Sequence, residues 1–171
     1  MSEVPLLRGD AVQLRPARRE DLPRFAAILA EPEVARWWGA QHSGDELAGD
    51  FFGPDLTSFA IEVDGEIAGV IQYSEVTEPD YRSAGIDIAL ATRWQGRGLG
   101  TDAVRTLARH LFEARGHHRI TIDPAASNAR AIACYRKVGF APVGVMRAYE
   151  RGADGTWHDG LLMDMLRSDL R

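Results

Sequence analysis

Apolar residues recur along this chain with two periods, which together predict a mixed α/β fold. Strand patterns, either alternating or short apolar runs, cover residues 11–15, 57–63, 66–76, 83–90, 119–123, 140–149 and 157–166. Helical patterns, with apolar residues three and four apart, cover about 20–30, 99–114 and 128–137, and Ser43 to Glu46 forms a capping box that predicts a further short helix. The predicted order is β-α-α-β-β-β-α-β-α-β-β, a mixed sheet of about seven strands with helices on both faces.

Turn residues set the predicted boundaries of these elements. Asp64-Gly65 between two strand patterns predicts a type I′ hairpin. Pro32 is expected to close the first helix, and Gly116 is expected to end the long one. No repeat, linker or low-complexity tract interrupts the order, so residues 1–171 are expected to form a single domain.

Composition restricts the classes of function. A formal net charge of −5 lacks the basic footprint of a nucleic-acid-binding protein and leaves room for a cationic partner. No segment approaches the roughly 18 uninterrupted apolar residues of a membrane span, and no export signal is evident, so a membrane is not an expected partner. Cys134 is the one cysteine, which agrees with a reducing cytoplasm, and we interpret it as a small buried apolar residue. Among five histidines only His117 and His118 are adjacent, and they are expected at the surface, so no metal site is expected.

Residues 94–101, Trp-Gln-Gly-Arg-Gly-Leu-Gly-Thr, stand between a predicted strand and the long amphipathic helix. Alternating glycines permit unusual backbone angles and let a ligand approach the main chain closely. The first N–H groups of the helix that follows have no intrahelical partner, which favours an anion such as phosphate. The glycine spacing fits neither a Walker A loop nor a dinucleotide-binding turn, and a glycine-rich helix entry without a ligand is the alternative.

Two motifs carry a family resemblance. Residues 95–100, Gln-Gly-Arg-Gly-Leu-Gly, resemble the Gln/Arg-x-x-Gly-x-Gly/Ala pyrophosphate loop of the GNAT (GCN5-related) N-acetyltransferases. Residues 128–140 resemble that family's Asn-x-x-Ala-x-x-x-Tyr-x-x-x-Gly-Phe helix, and the predicted element order matches over nearly the whole chain. More narrowly, residues 37–39, 82–87 and 123–128 resemble aminoglycoside 6′-N-acetyltransferases, although siderophore-biosynthesis acetyltransferases share parts of this pattern.

The resemblance implies a splayed sheet that binds acetyl-coenzyme A as co-substrate, without a metal. A backbone N–H near Leu90 would stabilise the oxyanion, and Tyr135 would protonate the leaving thiolate. From its sequence context alone, Tyr135 would be a core residue of an apolar helix. The residues implied in coenzyme binding are Leu90, Thr92, Gln95, Gly96, Arg97, Gly98, Leu99, Gly100, Thr101, Asn128 and Tyr135.

Carboxylates and tryptophans are the candidate acceptor-binding residues. Asp87 interrupts an apolar strand, where a carboxylate is unfavourable unless it is paired. It is predicted to be a general base or a substrate anchor, and the alternatives are an ion pair with Arg82 or a solvent-facing strand edge. Asp123 would face the same cleft if its strand splays from that of Asp87, but it also suits a turn or a helix cap. The predicted substrate-binding set is Trp37, Trp38, Glu75, Asp87 and Asp123, with at least one tryptophan expected to line a surface or cleft.

The activity that the resemblance implies is acetyl transfer, by direct attack in a ternary complex, to the 6′-amino group of an aminoglycoside. Such an enzyme would confer antibiotic resistance in the cytoplasm, as a monomer or a homodimer. Two alternatives stay open at this point. One is acetylation of a protein N-terminus, a lysine or a siderophore hydroxylamine, and the other is a regulatory module that binds acyl-coenzyme A without turnover.

Overall fold

The computed structural model describes residues 3–39 and 41–171 and shows the predicted α/β architecture. Its strands are β1 (Leu7–Arg8), β2 (Gln13–Pro16), β3 (Leu56–Val63), β4 (Glu66–Val76), β5 (Ser83–Leu90), β6 (Arg119–Ile122), β7 (Ala141–Arg151) and β8 (Trp157–Leu166). Its helices are α1 (Leu22–Leu29), α2 (Pro32–Trp38), α3 (Gly44–Phe52), α4 (Leu99–Glu113) and α5 (Ala129–Val138). No helix within these two ranges is long and apolar enough to cross a membrane.

All eight strands belong to one open sheet in the order β1-β2-β3-β4-β5-β6-β8-β7. Neighbouring strands are antiparallel except β5 and β6, which are parallel. The predicted fold class is confirmed, with one strand more than expected. The additional strand is β1, whose two residues are too short to show a period in the sequence.

One helix boundary and one helix cap differ from those that the sequence predicts. Pro32 does not close α1 but begins α2, because a proline in the first helical turn loses no intrahelical hydrogen bond and its fixed φ suits a helix start. The preceding residue, Glu31, is extended, as is usual before proline. Ser43 does stand at the N-cap of α3, but its side chain makes no capping hydrogen bond.

Helix α4 packs against the sheet and fixes the position of the glycine turn that precedes it. Its fully buried apolar face consists of Ala103, Val104, Leu107, Ala108 and Leu111. Asp102, in the first turn, is also buried, and its carboxylate accepts hydrogen bonds of 2.8 to 3.0 Å from the backbone N–H groups of residues 10, 11 and 12. This network ties the start of α4 to the β1–β2 connection and satisfies the buried charge.

The prediction for the adjacent histidines is wrong at His117, which is only 3% exposed. Its Nε2 lies 2.7 Å from an oxygen of Glu75, and Arg115 pairs with the same carboxylate at 2.8 Å. A histidine is accommodated inside the protein here because a neighbouring strand supplies a carboxylate partner. The following residue, His118, is exposed as predicted.

Candidate active site

A cleft of about 730 Å³ opens where β5 and β6 separate. These strands pair only at Ala84 with Ile120 and at Gly85 with Thr121, after which they diverge. Beyond the last pair, side chains satisfy carbonyl groups of β5. Trp38 Nε1 donates to the Ile88 oxygen at 3.3 Å, and Gln95 Nε2 donates to the Leu90 oxygen at 2.9 Å. The predicted splay is therefore present, and side chains take the place of strand β6 along this part of β5.

The glycine turn has a geometry suited to the diphosphate of a coenzyme. Gly96 and Gly98 have φ values of +73° and +78°, a conformation that glycine adopts without steric cost. Gly98 is the N-cap of α4, and the first intrahelical bond runs from the Asp102 N–H to its carbonyl. The three N–H groups between these residues have no such partner, and a Cβ on Gly98 would meet no atom within 4 Å. The turn thus presents free donors on an open side.

The other residues implied in coenzyme binding surround this turn, with differences in detail. Arg130 Nη1 lies 3.2 Å from Gln95 Oε1, and Arg97 stacks over the Trp94 ring at 5.2 Å. A Cβ on Gly100 would come within 3.3 Å of Leu90, so close packing of α4 on β5 constrains this position. The Thr92 N–H already donates to Glu31 at 2.6 Å, so this group is not free to bind pantetheine.

Helix α5 carries residues of the second motif into the cleft. Asn128 is the N-cap, and its side-chain oxygen accepts from the Ala131 N–H at 3.2 Å. Tyr135 lies two turns further along on the same side, lines the cleft, and is 8% exposed. Burial, with smaller contributions from Cys134, Asp87 and Asp123, raises the pKa of Tyr135 well above its ordinary value. The phenol is therefore neutral at physiological pH and carries a proton that it can donate.

Asp87 and Asp123 both line the cleft, as the sequence predicts for splayed strands. Within the described part of the chain Asp87 forms no ion pair, and Arg82 instead donates to the Arg115 carbonyl at 2.6 Å. Although the Asp87 side chain opens to the cleft, the surrounding protein limits its hydration. This desolvation, followed by the charge of Asp123, raises the pKa of Asp87 to about 6, while the Gln72 side chain opposes the shift.

Sequence reasoning missed two cleft residues, Tyr149 and Glu150, because a bulge in β7 redirects them. The pairing with β8 shifts register between Met146 and Glu150, and Ala148 has a φ of +48°. The Ala148 N–H is held by Asp159 at 2.8 Å. No residue in β7 marks this bulge in advance, since the strand pattern is continuous there.

Tyr149 and Glu150 lie beside Asp123 in the cleft lining. Asp87, Asp123 and Glu150 together form the acidic wall of the cleft. The Tyr149 hydroxyl donates to Asp123 Oδ2 at 2.6 Å, a hydrogen bond that raises the pKa of Tyr149 to about 12. Burial, followed by the charge of Asp123, raises the pKa of Glu150. With Asp87, three carboxylates therefore face one cleft, and among its described lining residues there is no lysine or arginine.

Both tryptophans line the cleft, whereas Glu75 does not. Trp38 stacks on Phe51 with ring centroids 6.4 Å apart, and Arg36 lies over the ring of Trp37 at 4.6 Å. The neighbour of Glu75, Ser74, faces the cleft, so strand alternation directs Glu75 to its ion pair with Arg115 and His117 on the other side. Among the described residues, no group of three His, Cys, Asp or Glu side chains could hold a metal ion.

A splayed strand pair beside a glycine-rich helix start, with a tyrosine and a carboxylate between them, defines an acyl-coenzyme A-dependent transferase. The chain belongs to the GNAT acetyltransferase family, since residues 12–141 match the model of the acetyltransferase (GNAT) domain. GNAT acetyltransferases use acetyl-coenzyme A, so the chain is an acetyl-coenzyme A-dependent N-acetyltransferase, and the predicted family and co-substrate are confirmed.

Three similar proteins illustrate the range of this family. The aminoglycoside N(6′)-acetyltransferase type 1 of Klebsiella pneumoniae is 33% identical over 158 residues, covering 81% of this chain and 78% of that protein. The spermidine N(1)-acetyltransferase of Escherichia coli K12 is 28% identical over 160 residues, covering 90% and 84%. A solved structure of AAC(6′)-Ib in complex with ribostamycin and coenzyme A superposes with a TM-score of 0.78 at 29% identity, covering 94% and 96%.

Proposed function

We propose that this enzyme acetylates the 6′-amino group of an aminoglycoside and thereby confers resistance to the antibiotic. The observation that carries the proposal is the cleft lined by Asp87, Asp123 and Glu150, with Trp37 and Trp38 also in its lining. Several carboxylates next to aromatic faces complement a ring-bearing substrate with several ammonium groups. The similarity to an aminoglycoside N(6′)-acetyltransferase supports the same substrate class, while the spermidine relative shows that a linear polyamine must be tested against it.

Asp87 has the two properties that a base for such a substrate needs. With a pKa of about 6 it is ionised in most molecules at pH 7, so it attracts an ammonium group. A pKa near the working pH also lets it accept the proton that the amine must lose, directly or through one water. Asp123, held by Tyr149, anchors further positive charge of the substrate on the opposite side of the cleft.

The coenzyme would lie between the glycine turn and the open edge of β5, and when bound it supplies an activated acetyl thioester. The free N–H groups that follow Gly98 hold its diphosphate. Tyr135 keeps its proton in the resting enzyme because its pKa is raised. Burial beside carboxylates would also raise the basicity of a thiolate next to the phenol, so Tyr135 would be the residue that supplies a proton to the departing thiol group.

A thiol-release assay over a panel of amines tests the proposed substrate. We expect turnover of kanamycin- or tobramycin-like compounds with a 6′-amine, and none of a matched aminoglycoside that carries a 6′-hydroxyl. Added salt should raise KM for the aminoglycoside, because screening weakens attraction between exposed charges. Turnover of spermidine or a peptide without turnover of any aminoglycoside would contradict the proposal. Coenzyme binding without thiol release from any amine would instead indicate a regulatory module.

A further inference from the structure

Three polar side chains form a row across the middle of the sheet. Ser58 on β3 lies directly opposite Gln72 on β4, and Gln72 lies directly opposite Asp87 on β5. Residues that face each other across antiparallel strands share one face of the sheet, with Cβ atoms about 4.5–5.5 Å apart. The row therefore leads from the interior of the protein to the carboxylate in the cleft.

The two inner members of this row are buried, so their polar atoms need partners. Gln72 is 6% exposed and Ser58 is 8% exposed. The Ser58 hydroxyl lies 3.0 Å from Gln72 Oε1 and 2.7 Å from the Phe51 carbonyl oxygen, two acceptors that share its one proton. With the oxygen of the amide directed to Ser58, its NH₂ group is left on the side of Asp87.

We propose that Gln72 is a positioning residue for Asp87, whose ionised carboxylate accepts a hydrogen bond from the Gln72 NH₂ group while Ser58 fixes the orientation of the amide. The inference rests on the proposed function only for the role of Asp87 as the base. A leucine at this position would pack as well as the glutamine and would bury no polar group. A hydrogen bond to the cleft carboxylate explains why a glutamine stands there.

The groups around Asp87 show why such a donor matters. Asp123, directly after β6, and Glu150, on β7, approach with negative charge, and Tyr135 and Tyr149 line the same cleft as neutral phenols. Desolvation and both carboxylates favour the protonated form of Asp87, and the Gln72 side chain favours the ionised form. Without this donor, the carboxylate would hold its proton to higher pH and would be a less available base at neutral pH.

The direct test is an NMR titration of aspartate carboxyl carbons, with the Asp87 signal assigned from Asp87→Asn. We expect Gln72→Leu to raise the pKa of Asp87 by about one unit and Ser58→Ala to raise it by less, since a released amide samples both orientations. Gln13→Leu is the matched control, because Gln13 lies on β2 and donates to Glu62 instead. If Gln72→Leu does not fold, Gln72→Met keeps an unbranched side chain of similar length without a hydrogen-bond donor and should raise the pKa of Asp87 to the same extent.

The pH profile of kcat/KM gives a second measurement that a purely structural role would not move. A rise in pKa from about 6 to about 7 lowers the ionised fraction at pH 6.5 about threefold and leaves it nearly unchanged at pH 8.5. The inference would be overturned if Gln72→Leu lowered kcat/KM equally at pH 6.5 and pH 8.5, or if the pKa of Asp87 in the titration did not change. An acid limb that persists in Asp87→Asn would overturn the assignment of the base, while the titration would still test the hydrogen bond from Gln72.

Discussion

Replacement of Asp87 by asparagine should make the protein more stable while it makes the enzyme less active. The substitution keeps the shape of the side chain and retains an oxygen that can accept a hydrogen bond from Gln72. It removes a negative charge from a cleft that already holds Asp123 and Glu150. Since limited hydration and like charges disfavour the ionised carboxylate, its removal relieves an unfavourable interaction in the folded state.

The pKa of Asp87 gives the size of this effect. Its rise from 3.8 to about 6 corresponds to about 3 kcal/mol of destabilisation by the ionised form, at 1.36 kcal/mol per pKa unit. The carboxylate opens onto the cleft, where solvent screens its interactions, so we reduce the expected gain to about 1 kcal/mol. For a chain of this length, such a gain corresponds to a rise in Tm of about 3 °C.

The size of the effect depends on pH. Below about pH 3 the carboxyl of Asp87 is largely protonated in the folded and in the unfolded state, so it imposes no penalty on folding. Between about pH 4 and pH 6 the unfolded chain ionises this carboxyl while the folded protein still holds the proton, so the relative stability of wild type falls, and the loss is complete above about pH 6. The advantage of Asp87→Asn should therefore be small at pH 4 and complete at pH 7.5.

Urea unfolding at both pH values measures this difference in the free energy of unfolding. Asp80→Asn is the control, because Asp80 is exposed on a short 3₁₀ helix, Pro79–Tyr81, outside the cleft. In parallel, the loss of a general base should lower the turnover rate of Asp87→Asn by about 10² to 10⁴-fold. A variant that is no more stable than wild type at pH 7.5, or is equally stabilised at both pH values, would refute the electrostatic reasoning.

Two further predictions concern the coenzyme and the proton donor. Gly98→Ala should weaken acetyl-coenzyme A binding by more than about tenfold in calorimetry, since its Cβ would occupy the open side of the turn. Gly65→Ala is the matched control, because both glycines have a φ of +78° with no atom within 4 Å of an added Cβ, and equal affinities would contradict the site. Tyr135→Phe should lower kcat with little change in KM, whereas a rise in KM at constant kcat would assign Tyr135 to binding alone.

The elements that could be predicted from the sequence are those with a local signal. The ranges 66–76, 83–90 and 157–166 agree with β4, β5 and β8, because each has a clear apolar pattern and a turn at its ends. Asp64 and Gly65 both have positive φ, as the predicted hairpin requires. The glycine turn was recognisable for the same reason, since its spacing and the helix after it are contiguous in the chain.

The features that could not be predicted depend on contacts distant in sequence. Asp102 resembles an ordinary acidic residue in the first turn of a helix, yet it binds three N–H groups about 90 residues away. The sequence places Glu75 in the predicted substrate-binding set, but its ion pairs with Arg115 and the buried His117 hold it outside the cleft. In both cases, the carboxylate is neutralised by partners that no local spacing identifies.

The acidic wall shows why function here depends on both kinds of information. Asp87 alone, in an apolar strand, indicates an unusual carboxylate, but only the splay of β5 from β6 and the bulge in β7 bring Asp123 and Glu150 beside it. Repulsion among these carboxylates is unfavourable in the free enzyme, and it contributes to the raised pKa of Asp87. A substrate with several ammonium groups removes the repulsion as it binds, so the same arrangement that weakens the fold favours a polycation over a neutral amine.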